Sequence, residues 1–75
     1  MTSFYRFQKL ALIYMQDMIA TINQLEEMNK DQFIINVLEK FEISERFIER
    51  TLEKFESIGK IKIKGNMIYP GKYDD

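Results

Sequence analysis

Two helix-start signals in close succession, with one glycine stop behind them, constrain this chain more than any other feature. Asn29 precedes Lys30-Asp31-Gln32. Its side chain can cap a helix while Gln32 reaches back to the Asn29 N–H, a capping box with Asn in place of Ser. Met28 ahead of the cap and Phe33 at the fourth helical position form a hydrophobic staple. Phe33, Ile34, Val37, Leu38 and Phe41 then keep the spacing of one helix face, and the helix ends near Phe41. Ser44 caps again almost at once, Glu45 suits the positive end of the helix dipole, and Ile43 can staple to Ile48. Phe47, Ile48, Thr51, Leu52, Phe55 and Ile58 line one face of the second helix, and Gly59 supplies a left-handed stop. Glu42-Ile43-Ser44 leaves a turn of helix-turn-helix length between the two.

The stretch after the stop, GKIKIKGNMIYPG, alternates lysine with isoleucine up to Gly65-Asn66. That dipeptide is a two-residue hairpin signal, with glycine first as a type II′ turn wants. The loop sets Lys64 opposite Met67, Ile63 opposite Ile68, Lys62 opposite Tyr69 and Ile61 opposite Pro70. Strand side chains alternate faces, so Ile61, Ile63 and Ile68 point inward while Lys60, Lys62, Lys64 and Tyr69 share the outer face. Pro70 fits a strand end. Upstream, residues 4 to 27 read as one long helix capped by Ser3 or Thr2. Phe4, Phe7, Ala11, Tyr14, Met15, Met18, Ile22 and Leu25 form its main stripe, with Tyr5, Leu12 and Ile19 as a second row beside it. The apolar arc is wider than one neighbour needs. A dimer interface on Tyr5, Leu12 and Ile19 is therefore expected.

Chain length supports that expectation. A chain of 75 residues buries only ~60% of its unfolded surface, so a second copy adds useful buried area. One domain is expected over 1–75: an N-terminal helix and dimer interface (1–28), a helix-turn-helix (29–59), a hairpin (60–70) and a tail (71–75). The chain has no cysteine and no histidine, which removes thiolate chemistry, the commonest metal ligand and the commonest general base. Catalytic residues, cofactor, metal and small-molecule substrate are all expected to be absent, so the chain reads as a non-enzyme. Glu26-Glu27 and the spaced glutamates read as solvated faces, and the methionines as core. No apolar run approaches the ~18 residues of a membrane span, and no signal peptide is evident, so a cytoplasmic protein is expected. The formal charge is −1, from 11 basic and 12 acidic residues, but Ser57 to Tyr73 holds four lysines and no acid.

Helix, helix, short turn, helix, hairpin: in this order the chain resembles the winged helix-turn-helix family over nearly its whole length. It looks like the small winged-helix proteins of archaea and their viruses. NKDQFIINVLEKFEISERFIERTLEKFESIGKIKIKGNMIYP is similar to that family's second helix, turn, recognition helix and wing. FEIS stands where many members carry a small apolar turn capped by Ser. The chain departs from the family in its minimal wing loop and in the four glutamates of its recognition helix. The resemblance implies a mainly α fold with a small two-stranded β-wing, and a small transcriptional regulator binding double-stranded DNA as a homodimer. Helix 44–58 would enter the major groove and the wing lysines would meet the backbone.

On that helix Arg46, Arg50 and Lys54 fall in one row, and Glu45, Glu49 and Glu53 in another about 100° away. Ser44, Arg46 and Arg50 would contact bases or nearby phosphates. Lys54, Lys60, Lys62, Lys64 and Tyr69 complete the expected DNA-binding set, with the wing lysines and Lys72 continuing the arginine row into one patch. Blander readings exist for each part. Arginines and glutamates three apart can simply pair on a solvated helix, and edge-strand lysines commonly guard against sheet pairing. The alternative function is a winged-helix protein-interaction module of a replication, transcription or membrane-remodelling assembly, supported by the acidic row and the −1 charge.

Overall fold

The computed structural model describes residues 2–72, with side chains from Gln8 onward except that of Leu25. Its elements are α1 (Thr2–Leu25), β1 (Met28–Asn29), α2 (Lys30–Lys40), α3 (Glu45–Ser57), β2 (Ile61–Lys64) and β3 (Met67–Pro70). Three helices thus accompany a three-stranded antiparallel sheet of order β1-β3-β2. No helix among the described residues is long and apolar enough to cross a membrane.

Local signals explain most of the boundaries. Asn29 Oδ1 accepts the Gln32 N–H at 3.1 Å and opens α2. The return half of the capping box does not form. Gln32 instead donates forward to Asn36 Oδ1 at 3.2 Å, and Asn29 is committed to β1. Ser44 Oγ accepts the Phe47 N–H at 3.1 Å and opens α3. Gly59, at φ 82, closes α3. Its N–H reaches Glu56 O at 3.0 Å and the Lys60 N–H reaches Phe55 O at 2.9 Å, the bond pair of a Schellman stop. By contrast, α1 ends on a non-glycine left-handed residue, Glu26 at φ 87, whose N–H donates to Ile22 O at 2.8 Å.

The hairpin has the expected register at all four pairs, Ile61 with Pro70 through Lys64 with Met67. Gly65, at φ 60, takes the first turn position. The expected two-stranded wing is nevertheless incomplete, because β1 adds a third strand through Met28 opposite Ile68 and Asn29 opposite Met67. A two-residue strand carries no periodicity, so it hides inside a capping signal. The ladder continues to the turn, where the Lys30 N–H donates to Asn66 O at 2.8 Å. Asn66 Nδ2 also donates to Asp31 Oδ2 at 3.0 Å, tying the hairpin tip to the first turn of α2.

The buried core joins Ala11, Met15, Met18, Ile19 and Ile22 of α1 to side chains of every other helix and of the hairpin. Phe33, Ile34 and Val37 come from α2, Ile48 and Leu52 from α3, and Ile61 and Ile68 from the sheet. Each such side chain is worth ~1.5–3 kcal/mol of burial, so these contacts dominate the favourable side of folding. Ile19 is only 4% exposed and belongs to this core, and Leu12 is half-buried against it. The expected dimer row is thereby corrected: a helix flanked by α2, α3 and the sheet buries a wider arc than one neighbour would. Tyr5, the third member of that row, lies outside the described side chains. Among the described side chains of α1, Leu10 and Ile13 are the exposed large apolar ones, at 44% and 48%. Leu38 also leaves its expected stripe, at 39%.

Asn23 fastens both ends of the hairpin to α1. Its Nδ2 donates to Lys60 O at 3.2 Å and to Ile19 O at 2.9 Å, and its Oδ1 accepts the Gly71 N–H at 3.2 Å. Among the described residues no buried side-chain nitrogen or oxygen lacks a hydrogen-bond partner.

Candidate nucleic-acid interface

Helix α3 buries Ile48, Thr51 and Leu52 and satisfies the one polar member by a bond from Thr51 Oγ1 to Phe47 O at 2.8 Å. That burial fixes the helix's rotation. Ser44, Arg46, Arg50 and Lys54 are all exposed, as are Glu45 and Glu53, so the split of the outer surface into a basic and an acidic half is real. Arg46 and Arg50 stand on the first two turns, beside the capped N-terminus.

Two contacts show which flank faces which neighbour. Lys54 joins Leu12, Phe47, Thr51, Phe55 and Ile58 around an apolar groove of about 440 Å³ between α1 and α3. The C-terminal member of the basic row, Lys54, therefore stands on the α1 side of the helix. On the opposite flank, Glu56 Oε2 accepts the Ile63 N–H at 3.0 Å, holding β2 against the acidic side. Glu49 lies two turns before Glu56 on that flank and is correspondingly half-buried. The expected continuous patch is corrected by this geometry. Lys62 and Lys64, on β2, are separated from Arg46 and Arg50 by the acidic row. Helical spacing places two rows about 100° apart, but it does not say which of them the hairpin covers.

Lys60 behaves differently from the other wing lysines. Its backbone is held between Phe55 O and Asn23, and its side chain lines a second cavity of about 400 Å³ with Gln16, Ile19, Ala20, Asn23 and Phe55. Phe55 lines both cavities, so Lys54 and Lys60 flank one seam between α1 and α3. Lys60 is the wing lysine brought to the same seam as Lys54. Lys62 sits half-buried directly across from Tyr69, and Lys64 is exposed beside the turn. Lys62, Lys64 and Tyr69 are each engaged with another group. Lys72 is exposed in the turn beyond β3. The hairpin tip does not project, because Asn66 binds it to Asp31 and Lys30.

Among the described residues no group of three acidic side chains is arranged to hold a metal ion. Asn23 and Glu56, which position the hairpin, have no signal in the sequence. Asn23 acts across 37 and 48 residues, and a lone Asn or Glu on a helix face reads as solvated. Comparison with protein-family models, with curated proteins and with solved structures finds no match for this chain.

Proposed function

We propose that this chain is a winged helix-turn-helix protein, acting in the cytoplasm as a small transcriptional regulator that binds double-stranded DNA through α3. The observation that carries the proposal is the N-terminal half of α3. Ser44, Arg46 and Arg50 are exposed on a helix whose rotation is locked by Ile48, Thr51 and Leu52. In helix-turn-helix readers this end of the second helix meets base edges. The order of α2, short turn, α3 and hairpin supports the same family assignment. Lys54 and Lys60 then serve phosphate oxygens along the α1–α3 seam, with Lys62, Lys64 and Tyr69 as outlying backbone contacts. One observation favours the protein-interaction alternative: the acidic flank lies between the arginine row and β2.

Fluorescence anisotropy on specific and scrambled duplexes across a salt series separates the two. Arg50→Ala is expected to relax sequence preference at a cost of ~1–3 kcal/mol. Lys54→Ala is expected to weaken all duplexes alike and to reduce the salt slope by about one. Glu53→Gln removes one repulsion of ~0.5 kcal/mol, taken at ~8 Å in water, and should tighten binding about twofold. Absence of duplex binding at ~50 mM salt, where phosphate contacts are strongest, sinks the DNA proposal in favour of the protein-interaction module.

A further inference from the structure

Along α1 and just past it the sequence runs from basic to acidic. From Thr2 to Gln16 it has Arg6 and Lys9 and no acid; Asp17, Glu26 and Glu27 follow, with no base before Lys30. No acid stands in its first turn and no base in its last. The ends of the helix therefore gain nothing from its dipole. On the outer face of α1, Leu10 and Ile13 are 44% and 48% exposed, while Ala11, Met15, Met18 and Ile22 fill the core on the other side. Lys9, Ile13 and Asp17 lie at i, i+4 and i+8, one ridge of the helix. Base, apolar, acid: this row is complementary to itself when read backwards.

We infer that α1 pairs antiparallel with α1 of a second copy of this chain, across a two-fold axis at Ile13. Lys9 of each copy then faces Asp17 of the other, Ile13 meets Ile13, and Leu10 covers the flank. The antiparallel sense also sets each basic half beside an acidic half. A partner of one charge sign would be repelled by half of the row, so a second copy fits the face better. Shape allows the crossing. α1 has 24 residues, about 36 Å at 1.5 Å per residue, in a molecule of 44 × 20 × 19 Å. The helix therefore runs along the long dimension, with Lys9, Leu10, Ile13 and Asp17 exposed on the side away from the core. The contact is one helix wide, smaller than a standard interface of ~1,600 Å², so micromolar dissociation is expected. None of this rests on DNA binding, and the tests are run on free protein.

Sedimentation equilibrium should show a monomer–dimer mixture for the unaltered chain at micromolar concentration. Ile13→Glu should raise the dissociation constant roughly 100-fold, since a two-fold interface carries each change twice. A thermal melt checks that the variant stays folded. Lys9→Glu and Asp17→Lys should each weaken the dimer, and the two together should restore it. The chain has no cysteine, so Ile13→Cys offers a single crosslinking site. It should oxidise readily to a disulfide-linked dimer, while Leu12→Cys, about 100° round the helix, should not. A chain monomeric at high micromolar concentration overturns the proposal. So does failure of the double exchange to restore association, or crosslinking through Leu12→Cys alone.

Discussion

Gly71 is the residue where a single added methyl group should do most damage. A Cβ built there would overlap the carbonyl oxygen of Gly59 and lie 2.9 Å from both the carbon and the oxygen of the Lys60 carbonyl. These are backbone atoms, so no side chain can swing aside. The segment that must retreat is the Schellman stop of α3, and it is also where Asn23 grips Lys60 O and the Gly71 N–H, both at 3.2 Å. Losing the two Asn23 bonds at ~0.5–1.5 kcal/mol each gives about 1–3 kcal/mol. Overpacking adds ~1–3 kcal/mol, and the stiffer unfolded chain returns ~0.4–1 kcal/mol. Gly71→Ala should therefore destabilise by about 2–4 kcal/mol, a large share of the ~4–11 kcal/mol expected for a domain of this size. Gly59→Ala is the comparison. Its Cβ would meet nothing within 4 Å, so it should cost only the ~1 kcal/mol of a left-handed backbone at φ 82. Urea unfolding followed by circular dichroism measures both, with the m-value as a check that the unfolded state is unchanged. A Gly71→Ala variant within ~0.5 kcal/mol of the unaltered chain, or one milder than Gly59→Ala, would mean the exit of β3 does not lie against the end of α3.

Glu26→Gly should raise stability by about 0.5–1 kcal/mol, because it relieves a side chain at φ 87 where glycine rests without strain; a lower melting temperature would contradict the left-handed stop. Ile43, half-buried against the core in the turn between α2 and α3, should cost about 1–3 kcal/mol as Ile43→Ser, whereas exposed Glu53→Ala should stay within ~0.5 kcal/mol of neutral. Equal shifts for those two in thermal melts would show that the turn register is wrong.

What the sequence disclosed about the fold was whatever is decided within about one turn or one hairpin. The Asn29 and Ser44 caps, the Gly59 stop and the Gly65 turn each depend on atoms a few residues apart, and each stands where the spacing puts it. β1 escaped because Met28 and Asn29 already had a local explanation as staple and cap, and pairing with Ile68 and Met67 spans a long loop. Glu26 escaped for a related reason: nothing in a glutamate signals a left-handed backbone. The dimer row failed on a different count. Helical periodicity ranked Leu12 and Ile19 as surplus to a core facing one neighbour, but α1 meets two helices and a sheet, and Ile19 is consumed inside.

The candidate site shows the same division, with a consequence for how the molecule works. Arg46, Arg50 and Lys54 are one row and the glutamates another because 3.6 residues make a turn, and the structure keeps both rows. Which row the hairpin covers is decided between elements, by the core that Ile48 and Leu52 share with Ile61 and Ile68, and it shows in the bond from the Ile63 N–H to Glu56. With the acidic flank toward β2, Lys54 stands on the α1 seam, where Lys60 rather than Lys62 flanks it. The two basic surfaces are thus offset by an acidic strip, and a duplex lying on the arginines would meet Lys54 and Lys60 before it met the outer face of the hairpin. If the proposed DNA binding holds, the arginine row would supply the close contacts and the hairpin's lysines would be outlying ones, more exposed to screening by salt over ~10 Å. The balance between them is adjustable by the glutamates alone: each acid neutralised on α3 moves the hairpin face and the arginine face closer to acting as one surface.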